Sequence, residues 1–421
     1  MPTSHRVLTV VDATRYVGES GFEPPPDGPG PGRHLGIELE WLAVRLTDPT
    51  RPADLERVQR AIASVQPLPA GSRVTFEPGG QVELSSPPFP GLGACAALPV
   101  DAHLVGRALA GAGVGLFGLG LEPGPQRARL VRSPRYDAME AYFDVTGPAG
   151  RTMMRSTAAV QVNLDLGEPV EIEGRWRRAH ELGPMLAAAF ANSPFARHGP
   201  SGWRSTRLAV WLQIDRNRTA PVSSARGARE AWAQYALDAG VMLVRLDDHR
   251  AVPVLDGLTF GRWIASGHEL GWPTLDDLGY HLTTLFPPVR PRGWLELRMI
   301  DALPEPWWQV AAAVTAVLVN DPEASDAAGR IAAPTGALWV EAARSGLSHP
   351  ALGHAARECF ILALDALERA GADAGTAAAA AAYFDHYVAR GRCPADDLLD
   401  LWTTDGNMLP TADNLRDRPW T

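Results

Sequence analysis

Four short segments of the chain alternate apolar and polar side chains, which is the pattern of half-buried β-strands. Successive side chains of a strand point to opposite faces, so residues two apart share a face. Each segment is therefore predicted to carry one apolar face and one polar face. The four segments are residues 36–41, 76–84, 159–166 and 294–299.

The polar faces of these segments consist almost wholly of carboxylate, amide and arginine side chains. They comprise Glu38 and Glu40; Glu77, Gln81 and Glu83, with a Pro-Gly-Gly turn after Glu77; Gln161, Asn163 and Asp165; and Glu296 and Arg298. One interpretation is a sheet whose polar side faces water. The other is convergence into one carboxylate cluster, whose like charges repel unless cations intervene. Hard oxygen ligands would then favour Mg²⁺ or Mn²⁺.

Apolar residues at three-to-four spacing predict helices elsewhere in the chain. Mixed helices and antiparallel strands favour an α+β fold in a single catalytic domain spanning residues 1–421. Within it we expect an N-terminal segment with a Pro/Gly loop (1–34), an α+β part (35–300) and a mainly helical C-terminal part (301–421). Helices are predicted at 96–112, 176–191, 226–240, 310–320, 339–345, 351–371 and 377–382, and a polar loop is predicted at 402–421.

The charge composition narrows the possible chemistry. All 39 basic residues are arginine, against 48 acidic residues, for a net charge of −9. The absence of lysine excludes a P-loop lysine, a pyridoxal-phosphate Schiff base and the strand lysine of protein kinases. Any phosphate chemistry must use arginine, metal ions and backbone amides, and Arg298, Arg207 and Arg218 are candidates because a guanidinium suits bidentate contact.

Composition also limits the partners. The mild acidity without a dense basic tract argues against nucleic acid, and no stretch is apolar enough to span a bilayer. The three cysteines are far apart and read as free thiols, so we expect a cytoplasmic protein acting on small molecules.

Six ordered motifs resemble the plant- and actinobacterial-type glutamate–cysteine ligases over about two-thirds of the chain. The arginine-rich, lysine-free composition is similar to the actinobacterial branch, which includes the ligase that opens the ergothioneine pathway. The motifs are GIELEW, FEPGGQVELSSPP, MMRSTAAVQVNLD, FANSPF, STRLAVWLQIDRNRT and HLTTLFPPVRPRGWLELR, in that order between residues 35 and 300.

The resemblance implies a glutamine synthetase-like fold, in which a curved antiparallel sheet forms an open funnel covered by helices. It implies an ATP-dependent ligation of the γ-carboxylate of glutamate to the amine of cysteine through γ-glutamyl phosphate, with ATP as co-substrate and Mg²⁺, or Mn²⁺, as cofactor. The roles it implies are metal ligands at Glu38, Glu40, Glu77, Glu83, Gln161 and Glu296; catalysis by Glu296, Arg298 and Glu38; substrate binding by Arg207, Arg135, Tyr136, Trp211 and Asn163; and nucleotide binding by Arg298 and Arg218.

Three alternatives stay open. The ligase could use another amine as its acceptor. A phosphotransferase on the same fold would release a stable phosphorylated product. A nucleotide-sensing protein would bind ATP without forming ADP.

Overall fold

The computed structural model describes residues 8–26, 28–30, 32–223, 226–406 and 408. The helices are α1 Val10–Phe22, α2 Leu55–Ala63, α3 Gly93–Gly111, α4 Pro134–Asp144, α5 Ala149–Ser156, α6 Ile172–Ala189, α7 Thr206–Trp211, α8 Arg216–Thr219, α9 Ala228–Asp238, α10 Phe260–Ser266, α11 Leu275–Leu282, α12 Trp307–Asn320, α13 Ala324–Ala332, α14 Trp339–Ser345, α15 Pro350–Arg369, α16 Ala374–His386 and α17 Pro394–Asp405. The strands are β1 His34–Arg45, β2 Asp48–Pro52, β3 Arg73–Phe76, β4 Val82–Ser85, β5 Phe89–Pro90, β6 Val114–Phe117, β7 Ala159–Leu164, β8 Phe195–Ala196, β9 Gly199–Pro200, β10 Leu243–Asp247, β11 Arg250–Pro253, β12 Val289–Pro291 and β13 Leu295–Asp301.

The main sheet is antiparallel and centres on the long strand β1. Its principal strand order is β12-β13-β7-β1-β4-β3, and β2, β5 and β6 also pair with β1. The first half of β1 pairs with β7 and β4, whereas its second half pairs with β6 and β2. Helices cover the sheet, so the expected α+β class with a curved antiparallel sheet is confirmed.

The alternation in the sequence predicted the four key strands correctly. Segment 76–84 forms two strands, because a tight turn at Pro78-Gly79-Gly80 separates β3 from β4. The N–H of Gly80 donates to the carbonyl of Glu77 at 2.8 Å, and Gly80 has a φ of 80°, which glycine adopts without a Cβ clash. The turn leaves Glu77 beside the polar face of β4.

The register of the sheet brings the polar side chains into adjacent rows. In one row, Gln161 of β7 faces Glu38 of β1. In the next row, Glu40 of β1 faces Glu83 of β4, which in turn faces Thr75 of β3. Neighbouring strands lie about 4.8 Å apart, so these rows bring carboxylates from distant parts of the chain together.

The C-terminal third is helical, as predicted, and it packs against the opposite face of the sheet. One cluster of buried apolar side chains extends from Leu8 to Val388 and includes nearly all of α12. This continuity supports the proposal of a single folding unit.

The C-terminal end of the chain differs in part from the sequence prediction. The predicted loop at 402–421 is wrong at its start, because it begins inside α17, which continues to Asp405 as Trp402 packs on Phe195 with ring centroids 5.8 Å apart. Most of the remaining stretch lies outside the described residues.

Among the described residues, no helix is long and apolar enough to cross a membrane.

Candidate active site

A cavity of about 720 Å³ lies between the polar face of the sheet and helices α4, α5 and α7. Eleven of the thirteen residues assigned from the sequence line it: Glu38, Glu40, Glu77, Glu83, Arg135, Tyr136, Gln161, Arg207, Trp211, Glu296 and Arg298. They come from four strands, two helices and the turn before β4, so the convergence is a property of the fold.

Four of these carboxylates, Glu38, Glu40, Glu77 and Glu83, form what we call the acidic group. Their hydrogen-bond partners are neutral. Glu40 accepts from the amide of Gln161 at 2.8 Å and from the Ala159 N–H at 2.9 Å. Among the described residues, no hydrogen bond or ion pair reaches the Glu77 carboxylate. The group therefore has no direct contact with a cationic side chain among the described residues.

Burial and mutual repulsion raise the pKa of three members of the acidic group. Desolvation is the largest cause in each case. The pKa of Glu38 rises to about 7, with added repulsion from Glu296 and Glu83, and that of Glu40 to about 7, with repulsion from Glu83. The pKa of Glu77 rises to about 8, with repulsion from Glu40 and Glu83. A bound cation would offset both the desolvation of these carboxylates and their mutual repulsion.

The donor chemistry of the acidic group fits a hard divalent cation, since its members present oxygens on one cavity wall. Within the described part of the chain, however, no three histidine, cysteine or acidic side chains are already gathered in a group that could hold a metal ion. Binding would therefore require side-chain rotations within the cavity.

Glu296 differs from the acidic group because three arginines surround it. Arg290 donates to it in a bidentate manner at 2.6 and 3.0 Å, Arg292 donates at 3.2 Å and Arg298 at 3.0 Å. We call these four residues the arginine clamp. The Glu296 side chain is 0% exposed, and the arginines lower its pKa well below the usual range despite its burial.

The clamp bears on the predicted role of Glu296 as a metal ligand, which stays a prediction. Each of its two carboxylate oxygens already accepts two arginine hydrogen bonds, so a metal could bind only by displacing one of them. The geometry instead makes Glu296 the residue that orients Arg298. Its role in catalysis stays a prediction, now as a positioning residue.

Arg298 links the clamp to the cavity. It lies where the β13–β7 register shifts, between Leu297 and Ile300, and its guanidinium forms a short hydrogen bond with the Gln161 amide oxygen. Its Nε and Nη2 have no hydrogen-bond partner among the described residues. A charged donor held in this way suits a phosphoryl group.

Arg207 is held at the cavity wall by backbone and carboxylate contacts. Ser205 caps α7 by accepting from the Leu208 N–H at 3.0 Å, which places Arg207 in the first turn. Its Nη2 donates to the Arg298 carbonyl at 2.8 Å, and its Nη1 lies 3.7 Å from Asp301. Arg207 is 3% exposed, so the cavity receives a positive charge whose orientation is fixed.

Helix α4 supplies the remaining predicted substrate contacts. It begins after Ser133, whose hydroxyl accepts from the Tyr136 N–H at 3.2 Å. Arg135 donates to the Thr283 hydroxyl at 2.9 Å and lies over the Tyr280 ring. Burial raises the pKa of Tyr136 to about 12, so its hydroxyl stays protonated at neutral pH.

Two predicted residues lie outside this cavity. Arg218 is 0% exposed, and it donates to the Thr284 carbonyl at 2.8 Å and to Asp215 at 3.1 Å. Its guanidinium is enclosed and does not line this cavity, and its assignment to nucleotide binding stays a prediction. Asn163 donates to Glu38 at 3.0 Å and accepts from Trp294 at 3.1 Å.

Asn163 instead lines a second cavity of about 1200 Å³. This cavity lies between the sheet and the Pro/Gly loop, and it shares Glu38, Ser86, Pro88 and Trp294 with the first. The polar face of the sheet is therefore accessible from two sides, as the funnel expectation requires.

Several residues of the site were not predicted from the sequence. Arg290 and Arg292 alternate before Trp294, and their spacing around a hairpin could have indicated a shared face with Glu296. Asp301 ends β13 and accepts hydrogen bonds from Ser193 at 2.7 Å and Ser205 at 2.8 Å, a contact that only the fold creates.

Comparisons with known proteins point to one family. A model of the family described as glutamate-cysteine ligase family 2 matches residues 34–413. The chain is 42% identical over 395 residues to the glutamate–cysteine ligase EgtA of Mycolicibacterium smegmatis, covering 92% of this chain and 90% of that protein. It is 33% identical over 356 residues to the chloroplastic glutamate–cysteine ligase of Arabidopsis thaliana, covering 78% of this chain and 66% of that protein.

A solved structure supports the fold. The crystal structure of glutamate–cysteine ligase from Francisella tularensis in complex with AMP superposes with a TM-score of 0.56, covering 93% of this chain and 89% of that one. The sequence identity is 13%, so this likeness concerns the fold alone.

Proposed function

The chain belongs to the glutamate–cysteine ligase family 2, and we propose that its cavity joins the γ-carboxylate of glutamate to the amine of cysteine in an ATP-dependent reaction. The observation that carries the proposal is the pairing of the acidic group with Arg298 and Arg207 on one cavity wall. Four carboxylates suit cation-bound phosphates, and the two arginines suit anionic substrate groups.

The reaction has two steps. The γ-phosphoryl of ATP passes to a γ-carboxylate oxygen of glutamate, which releases ADP and forms γ-glutamyl phosphate. The cysteine amine then attacks the acyl carbon, phosphate leaves, and the amine loses a proton to give γ-glutamylcysteine. A free carboxylate is a poor electrophile, so the phosphorylation makes the second step possible.

Arg298 is the residue we assign to the transferring phosphoryl. Its position is set by Glu296 at 3.0 Å and by the short bond to Gln161, so it needs no reorganisation when charge develops. Arg290 and Arg292 hold Glu296 in place and thereby complete this positioning.

We assign the divalent cation, Mg²⁺ or Mn²⁺, to Glu38, Glu40, Glu77 and Glu83, with Gln161 beside them. When bound, such a cation neutralises the phosphates of the nucleotide. The chain itself supplies the oxygens and holds Glu40 through Gln161 and Ala159.

The second cavity is our candidate for the nucleoside part of ATP. It meets the first at Glu38, so a triphosphate extending past this residue would bring its terminal phosphate toward Arg298. The part of the first cavity that Arg207 and Trp211 line is left for the amino-acid substrates. We place the reaction in the cytoplasm, in keeping with three buried free cysteines.

The test is to incubate the protein with ATP, Mg²⁺, glutamate and a panel of amines, and to identify the products by mass spectrometry. We expect γ-glutamylcysteine and one ADP per product, with no ADP when either amino acid is omitted. Comparable turnover with another amine and little with cysteine would contradict the cysteine assignment. A stable phosphorylated product without an amide would indicate a phosphotransferase instead.

A further inference from the structure

Gln81 is a buried amide on the wall of the first cavity, next to the acidic group in sequence. Its side chain is 1% exposed, and its Nε2 donates to the Thr157 carbonyl at 2.9 Å. This bond determines the orientation of the amide, because only the nitrogen can donate to a carbonyl. The Oε1 therefore points away from Thr157, and among the described residues it has no hydrogen-bond partner.

Two hydrogen-bond donors on the wall of the same cavity are also buried without a partner among the described residues. They are the Nε of Arg207 and the Nε1 of Trp211. Leaving a buried polar group unpaired is unfavourable, so such atoms need an explanation where they occur together. Here they comprise one acceptor and two donors.

The three residues are carried by segments that pack on helix α5. Gly79 packs so closely on α5 that a Cβ there would come within 1.9 Å of the Arg155 carbonyl oxygen, which fixes the turn that precedes Gln81. Helix α5 also shares an apolar cluster with α7, in which Met153 and Met154 meet Val210, and Trp211 packs against it. The acceptor and the donors are therefore held by two elements that each pack on α5.

This arrangement matches the α-carbon end of an amino acid, where an ammonium donates and a carboxylate accepts. We propose that Gln81 is a specificity-determining residue that accepts a hydrogen bond from the α-ammonium of glutamate, while Arg207 and Trp211 donate to its α-carboxylate. The inference rests on the proposed function for the identity of the amino acid.

The test compares glutamate with glutarate, which has both carboxylates and lacks the ammonium. Gln81→Met keeps the length of the side chain and removes its hydrogen-bonding groups. We expect the KM for glutamate to rise about 10- to 100-fold, the value for one hydrogen bond to a charged group. The inhibition constant of glutarate should change by no more than about twofold, since glutarate never makes this hydrogen bond.

Gln309 provides a matched control. Its Oε1 is also buried without a partner among the described residues, yet it lies on α12 and does not line the cavity. Gln309→Met should leave the glutamate KM and the glutarate constant unchanged. Wild-type protein alone adds a second measurement, since it should bind glutamate about 10- to 100-fold more tightly than glutarate in calorimetry.

Equal weakening of glutamate and glutarate by Gln81→Met would overturn the inference, because it would indicate general damage to the cavity. An unchanged glutamate KM would overturn it too, as would an effect confined to the cysteine KM. If the variant does not fold, the calorimetry of the wild type decides, and equal affinity for the two ligands would then overturn the inference. Absence of γ-glutamylcysteine with intact discrimination would instead count against the proposed function alone.

Discussion

The acidic group and the arginine clamp both place buried carboxylates beside one cavity, four in the first and one in the second, and they offset the cost of burial in opposite ways. In the clamp, Glu296 receives hydrogen bonds from three arginines, and its pKa falls. In the acidic group, Glu40 faces Glu83 on the neighbouring strand, with neutral partners, and the pKa of Glu40 rises. The clamp is complete within the chain, whereas the acidic group needs a cation from outside.

This difference separates structural from chemical roles. Removing a carboxylate from a satisfied cluster leaves its cations buried and unpaired, which destabilises the fold. Removing one from a repulsive cluster relieves repulsion and costs the fold little. Replacing a glutamate by alanine should therefore destabilise the protein in the arginine clamp and cost little stability in the acidic group.

The largest expected effect is on the stability of Glu296→Ala. Because Arg290 and Arg298 would lose their shared counterion inside the protein, we expect the free energy of unfolding to fall by about 3–5 kcal/mol. Urea denaturation followed by circular dichroism measures this. A loss under about 1 kcal/mol would contradict the interpretation that Glu296 is the counterion that stabilises these buried arginines.

Glu83→Ala should give the converse result. We expect turnover to fall by about 100- to 1000-fold, a loss comparable to removing one electrostatic contact from a transition state. The free energy of unfolding should change by less than about 1 kcal/mol or increase, because the repulsion with Glu40 is gone. Near-normal turnover at saturating Mg²⁺ would contradict the cation assignment.

Arg207→Ala tests an arginine that lines the cavity and does not belong to the arginine clamp. We expect the glutamate KM to rise by about 10- to 100-fold, since a charged hydrogen bond is lost, with a much smaller change in the ATP KM. Steady-state kinetics with each substrate varied in turn measures both. An unchanged glutamate KM would remove Arg207 from the substrate site.

A further test is the pH dependence of stability without metal. The folded-state pKa values of Glu38, Glu40 and Glu77, at about 7, 7 and 8, lie above that of an unfolded glutamate. The folded state therefore binds more protons between these values, and its stability falls as pH rises from about 4.5 to 8. Each unit of pKa elevation corresponds to about 1.4 kcal/mol, so the three carboxyls together should lower the free energy of unfolding by several kcal/mol over this range.

Mg²⁺ should reduce this slope, because it favours the deprotonated carboxylates of the folded protein. Thermal unfolding between about pH 5 and 8, with and without Mg²⁺, measures the difference. Glu77→Gln is the matched variant, since it removes the carboxyl whose pKa is raised most, and its slope should be smaller. The same slope with and without Mg²⁺ would argue against binding at the acidic group.

The strands and their polar faces could be predicted from the sequence because alternation is a local property. Glu38 and Glu40 had to share a face once β1 was recognised. The position of Glu83 opposite Glu40 depends on the register between two strands, which no local pattern contains.

The surroundings of Glu296 and Arg218 could not be predicted from the sequence, for the same physical reason. The identity of a residue within a motif does not determine what surrounds its side chain. Glu296 is enclosed by arginines from the neighbouring strand β12 and its hairpin, and Arg218 by carbonyls of Gly240 and Thr284. Both environments form only when distant segments pack.

The assignment of the cation to the acidic group, and not to the clamp, is tested most directly by crystallography. A crystal structure with Mn²⁺ and a non-hydrolysable ATP analogue would locate the metal by its anomalous scattering. We expect anomalous peaks coordinated by Glu38, Glu40, Glu77 or Glu83, with Glu296 still bound to its three arginines. A metal coordinated by Glu296, or peaks only outside the cavity, would contradict the assignment.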